Sequence, residues 1–285
     1  MRSVRSRYFT LSVMMLLLVG DRTAEAQHRP LLTEDPQPIR PGQILVETGV
    51  GYAHRAKFPL SGLEGDFLQI PYLGFSIGLG SIAEFQVDSG LTVLFVDSAT
   101  EAPLSEKVDF TGDTTTDVAD PVIATKILLQ RETRRTPAIG FRVATRLPSA
   151  SNESGLGNDT FDWFVTLLAG KSFGRTRIVG NVGAAVLALP TEAARQNDVL
   201  TLAFSVTQRA SRTVDLVAEA SGRIDLKGPP PPGTEDRAEL RVGARYRADP
   251  LRFDAATIIG VGDDDPEFGL TFGVTYTFDA FDPDK

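Results

Sequence analysis

The 285-residue chain contains no cysteine, only two histidines and three methionines, and no excess of basic charge. Each deficit removes a class of protein. Without Cys there is no disulfide scaffold and no lipid-modified N-terminal cysteine. Two histidines and no thiol leave no His/Cys cluster for zinc or iron. A formal charge of -8, with no basic stripe, argues against nucleic acid as a partner. Charged residues interrupt every apolar run after the N-terminus, so no stretch is long enough to cross a bilayer as a helix.

The N-terminus has the makeup of an export signal. Arg2, Arg5 and Arg7 precede the short apolar run from Leu11 to Gly20, and Ala24-Glu25-Ala26 supplies a small-residue cleavage site. The expected product lacks residues 1–26 and is exported through the Sec pathway. A proline-rich periplasmic segment, 27–41, follows; the domain proper is expected over 42–278, with a periplasmic tail at 279–285.

The whole chain is rich in glycine (26) and phenylalanine (17), and beyond the N-terminus it alternates. From Glu267 to Phe278, Phe268, Leu270, Phe272, Val274, Tyr276 and Phe278 share one face of an extended strand. Gly269, Thr271, Gly273, Thr275 and Thr277 share the other. Bulky apolar residues opposed to small polar ones are the pattern of a barrel strand that meets hydrocarbon outside and water inside. Phe272, Val274, Tyr276 and Phe278 also make the aromatic-ended terminal strand that a barrel-assembly machinery reads. The same rhythm recurs from Ile44 to Tyr52, Phe75 to Leu79, Phe85 to Phe95, Ile123 to Leu129, Ile139 to Leu147 and Phe161 to Leu167. Weaker versions follow at 178–189, 199–208, 214–224, 237–246 and 252–262. Parity switches at Pro71, where an inserted residue and a missing N–H predict a bulge.

The count is about twelve, with short turns alternating with longer loops at 56–65, 96–115, 148–159, 190–197 and 225–235. The expected fold is all-β: a closed antiparallel transmembrane barrel, an up-and-down meander in the bacterial outer membrane. A mean hydropathy of -0.05 fits, because the two faces cancel. A soluble barrel would alternate too, but spans of roughly ten to twelve residues suit a tilted bilayer crossing better than the usual five or six of soluble strands.

Gly74-Phe75-Ser76-Ile77-Gly78 matches the hydrolase elbow G-x-S-x-G but lies inside an alternating strand rather than at a strand-to-helix turn. His28 lies in the N-terminal segment and His54 at the outer end of the first strand, and the Ser–His pair on the lipid-facing wall that a barrel phospholipase needs is not evident. No catalytic residue, metal ligand or cofactor is therefore assigned. Asp263-Asp264-Asp265 and Glu267 offer oxygen ligands of the kind that suit Ca²⁺ or Mg²⁺, with an acidic solvated turn as the plainer reading, and the Asn152 and Asn158 triplets read as chance glycosylation matches.

The inward charges carry the functional signal. Glu47, Glu84, Asp88 and Asp120 gather in the first half, with Lys126 among them as a structural partner for Glu84 or Asp120. Arg142, Arg146 and Asp162 follow. Asp215, Glu219, Arg223, Glu239, Arg241, Arg245 and Asp254 belong to the second half. Such charges either line a pore and set its preference or pair across the interior and fill it.

The chain also resembles the outer-membrane transporter family named for the meta-pathway of phenol degradation. The resemblance rests on Thr33-Glu34-Asp35-Pro36 with Pro41-Gly42, Leu79-Gly80-Ser81-Ile82-Ala83-Glu84, Asp120 to Lys126, and Leu147-Pro148 with Gly155-Leu156-Gly157. It implies a closed barrel for uptake of aromatic or other small hydrophobic compounds and transfers no binding residue. The expected function is passive passage of small solutes. Expected partners are outer-membrane lipids, the assembly machinery and a small-molecule solute, with oligomeric state open; the alternative is a non-conducting structural barrel whose lumen is plugged by ion pairs and by the mature N-terminal segment.

Overall fold

The computed structural model describes residues 29–192 and 195–281. The signal-peptide reading therefore lies outside the described residues.

Thirteen strands follow in order: β1 Gln43–Phe58, β2 Leu63–Gly78, β3 Ala83–Ala99, β4 Thr114–Val118, β5 Val122–Gln130, β6 Ala138–Arg146, β7 Asp162–Phe173, β8 Thr176–Ala188, β9 Gln196–Arg209, β10 Val214–Ile224, β11 Arg237–Ala248, β12 Leu251–Gly260 and β13 Phe268–Asp279. Chain neighbours pair antiparallel except β4 and β5, which both pair with β3, and β1 pairs with both β2 and β13, so the sheet closes on itself. Leaving out β4, twelve strands form the ring. The meander expected from the alternation is the one observed.

Why these segments form strands is visible in their exposure. On β7, Trp163, Val165 and Leu167 are exposed, whereas Asp162 and Leu168 are fully buried. On β13, Phe268, Leu270, Phe272 and Tyr276 are exposed, whereas Thr271 and Thr275 are buried. Large apolar side chains thus point away from the barrel and polar ones into it, the reverse of a water-soluble barrel, which would hide its apolar face. Apolar clustering inside is slight: among the described residues it amounts to Ile39 on Leu45, and Ala185, Leu187 and Val199 with Phe164 against them.

The bulge at Pro71 is present, with the β1–β2 register slipping between Gly49 and Gly51 and the β2–β3 register between Gln69 and Tyr72. A proline without N–H cannot continue the ladder, and the extra residue turns Leu68 and Phe75, seven positions apart, to the same side.

Three sequence expectations are corrected. The loop expected at 56–65 is mostly strand: β1 and β2 pair as far as Phe58 and Leu63, beyond a bulge where Arg55 has φ 53°. Polar residues there look loop-like because the hairpin rises past the apolar band. The loop expected at 96–115 contains part of β4, whose run of β-branched threonines pairs with Leu91 to Phe95 of β3, while Ala83 to Asp88 of the same strand pair with β5. Asp120 lies before β5, not on a strand.

A fourth correction matters most. Residues 29–41, expected in the periplasm by the main reading and in the lumen only by the structural-barrel alternative, lie inside the barrel. Glycines facing inward make room for them: a Cβ on Gly140 or Gly170 would stand 3.2 and 3.1 Å from Pro36.

Candidate functional site

The site is the lumen and the segment that crosses it. A barrel of eight strands is filled by its own side chains, and one of sixteen holds a water channel. Twelve strands enclose more space than inward side chains fill, and residues 29–41 occupy part of it.

The segment enters beside the short turns, where Gly42 N donates to Gly78 O at 2.9 Å. Ile39 N then donates to Glu84 at 2.8 Å. Glu84 also faces Lys126 at 3.2 Å, and both side chains are fully buried. From the segment, Glu34 approaches Lys126 at 3.4 Å and Arg142 at 3.2 Å. One lysine and one arginine from the wall therefore balance one wall carboxylate and one segment carboxylate. A buried ion left alone costs several kcal/mol, so this four-member arrangement is favourable only as a set.

The next residue, Asp35, takes both ends of the Arg177 guanidinium, Nη2 at 2.7 Å and Nε. Arg177 also donates to Glu132 at 2.8 Å. Glu132 lies in the turn between β5 and β6; burial alone would raise its carboxyl, but the Ser172 amide, Lys171 and Arg177 all donate to it and hold it below the usual range. Deeper in, Glu219 accepts from the amides of Leu32 at 3.0 Å and Thr33 at 2.6 Å, and from the Thr33 hydroxyl. Arg241 donates to Pro30 O at 3.0 Å and Arg245 to Arg29 O at 2.8 Å. Finally the Arg29 side chain reaches β12, β13 and β2, with Asp254 at 3.7 Å and the Tyr72 ring centroid at 4.5 Å. Leu32 remains 56% exposed in the middle of this run, so the segment leaves solvent space at that level.

Of the residues expected to line the lumen, Glu84, Lys126, Arg142, Glu219, Arg241, Arg245 and Asp254 converge on the segment. Glu47 pairs with Arg252 at 2.9 Å, Asp88 accepts from Tyr72 at 2.5 Å, and Glu239 pairs with Arg241 at 2.7 Å. The others hold the ends. Asp162 pairs with Arg146 and accepts from Ala188 N at 2.9 Å. Arg223 donates to Glu235 O and Gly233 O in the β10–β11 loop. Asp215 pairs with Arg247, and Asp120 accepts from the amides of Ser149 and Ala150.

Sequence reasoning missed Arg29, Glu34, Asp35, Tyr72, Glu132, Arg177 and Arg252. The one available signal was adjacent carboxylates in a short proline-rich stretch, in a chain with many inward arginines. Ser76 lies within β2, opposite Leu45 and Gln86, and not at an elbow. His54, at the loop end of β1, meets Asp66 at 2.7 Å with Tyr52 donating to the same carboxylate at 2.9 Å. In the acidic turn, Asp265 accepts from the amides of Ala238 and Gly262, both at 2.9 Å, and so braces its own loop.

On the outer face, where the β1–β2 ladder is interrupted, an apolar recess of about 720 Å³ lies among Val50, Ile70, Val214, Tyr246, Phe253 and Phe272.

No family model matches the sequence, and no curated protein matches it. Similar solved structures include an outer-membrane channel from Pseudomonas putida F1, 13% identical, with a TM-score of 0.57 over 86% of this chain and 98% of that one. LpxR from Salmonella typhimurium (10% identical, TM-score 0.46, 83% of this chain and 100% of that one) and the outer-membrane channel DcaP of Acinetobacter baumannii (12%, 0.42, 83% and 96%) are more distant and carry no further argument. What this chain shares with the Pseudomonas putida F1 channel is the fold, a closed antiparallel barrel.

Proposed function

We propose that this protein is an outer-membrane barrel through which small solutes pass, with residues 29–41 setting how wide the route is. The observation that carries the reading is the contrast between an apolar outer wall and a charged lumen crossed by a segment held through polar contacts. Polar contacts of this kind exchange with water, so the segment can yield without breaking a hydrophobic core. The fold shared with the Pseudomonas putida F1 channel supports the same reading, as do the sequence features of an exported chain. Membership of the phenol meta-pathway family belongs to this proposal and rests on the motifs quoted above.

In this reading the partners are outer-membrane lipids, the barrel-assembly machinery and a small-molecule solute. No catalytic role is assigned, and Ser76→Ala is expected to leave transport unchanged.

The test is single-channel conductance in planar bilayers. The full chain is expected to conduct weakly, and a chain lacking residues 29–40 several-fold more. A folded barrel that stays silent with the segment removed would overturn passage and leave a structural barrel.

A second reading, that the solutes are aromatic or otherwise apolar, is favoured by the recess on the outer wall. Its volume is several times the ~150 Å³ of a cavity that holds benzene. Uptake of radiolabelled toluene into vesicles bearing Val50→Trp, which fills the recess, is expected to fall below that of the unaltered protein.

A further inference from the structure

Among the segment's contacts, those of Arg29 form a built pocket rather than a chance encounter. Two glycines face each other across the β1–β13 pairing, Gly49 and Gly273. A Cβ on Gly49 would stand 3.1 Å from Arg29 Nη2, and one on Gly273 only 2.8 Å from Arg29 Nε and 2.8 Å from both oxygens of Asp254. Any larger residue at either place would push the guanidinium off the wall. Over this glycine floor, the Tyr72 ring lies against the guanidinium, its centroid 4.5 Å from Cζ. Nη2 donates to Thr271 Oγ1 and, at 3.3 Å, to Phe272 O. Asp254 closes the remaining side at 3.7 Å. Its side chain is fully buried, yet neither carboxylate oxygen has a hydrogen bond.

A buried carboxylate with unused acceptors, beside an aromatic face and a backbone carbonyl, is a receptor for a planar cation. Of the neighbouring arginines, Arg252 Nη2 donates to Glu47 and Thr275, and Arg245 Nε to Arg29 O.

We propose that this cradle is a cation-binding subsite of the lumen, occupied at rest by the chain's own Arg29, and that small organic cations of the guanidinium class compete for it. Arg29 is then a tethered occupant. A guanidinium solute that enters the lumen takes its place, and the segment loses its innermost anchor. The inference deepens the passage reading and rests on it for physiological meaning, but the binding itself does not require conduction.

Two measurements separate the cradle from passage. Saturation-transfer NMR with methylguanidinium is expected to show binding to the folded Arg29→Ala barrel, with a Kd on the order of 1 mM. Binding at least tenfold weaker is expected for Arg29→Ala/Asp254→Asn and Arg29→Ala/Tyr72→Leu, with heat-dependent gel mobility confirming that each variant is folded. No binding to Arg29→Ala, or binding that both second substitutions leave intact, overturns the cradle. In planar bilayers, Arg29→Ala is expected to conduct at least twice as well as the unaltered chain, and methylguanidinium, but not equimolar potassium, to lower that conductance. Silence of every variant would count against passage alone, because the NMR result decides the cradle independently.

Discussion

The two faces of the barrel wall are made from the same strands and obey opposite rules. On β7, Trp163, Val165 and Leu167 need only be apolar, because liquid hydrocarbon fits any shape. Opposite them, Asp162 requires Arg146 and the Ala188 amide specifically. Outside, identity is loose and polarity strict. Inside, polarity is permissive and the partner is everything.

The largest effect expected from this contrast is on the outer face. Val165→Arg at mid-strand is expected to cost about 2–4 kcal/mol of membrane-folded stability, read from urea titration of folding into lipid vesicles. An equal loss from Thr166→Arg, on the lumen side of the same strand, would break the distinction.

Within the lumen, Lys126→Met removes the cation that Glu84 and Glu34 share and leaves Arg142 against Glu34, and about 3–5 kcal/mol is expected to be lost. Adding Glu84→Gln is expected to recover part of it. Full additivity in the double-mutant cycle would show that the pair is not a unit.

A smaller effect belongs to Glu132 at the turn end. Its folded carboxyl titrates below the unfolded range, so its stabilisation is complete above the ordinary Glu value near pH 4.3 and disappears as pH falls through the folded value. Glu132→Gln is expected to flatten the unfolding midpoint against pH between roughly 5 and 3. An unchanged slope would show that its hydrogen bonds contribute nothing. Smallest of all, Asp263→Asn in the exposed part of the acidic turn is expected to stay within about 0.5 kcal/mol, whereas Asp265→Asn, which weakens acceptance from two amides, should exceed it.

The same contrast explains what could be read from the sequence. Outer-face order needs only a period of two, a local property, so Phe268 to Phe278 declared its strand and Pro71 its bulge. Lumen order needs to know who meets whom, and Asp35 finds Arg177 and Arg29 finds Asp254 across 142 and 225 positions. Nothing local encodes such pairings. Lys126 with Glu84 was legible because their strands are neighbours, whereas Glu34 as the third member was not. Residues 29–41 lack alternation because they are no part of the wall, and proline-rich polar sequence reads as a tail wherever it lies.

The place where Arg29 rests carries one more consequence. Gly49 and Gly273 belong to the first and last strands, Tyr72 and Asp254 to the strands flanking them. No half-built cylinder contains that pocket, since its floor appears only when the first and last strands of the wall meet. The arginine that precedes the wall in synthesis therefore acquires its seat last, and once seated it clasps the junction that completed the wall.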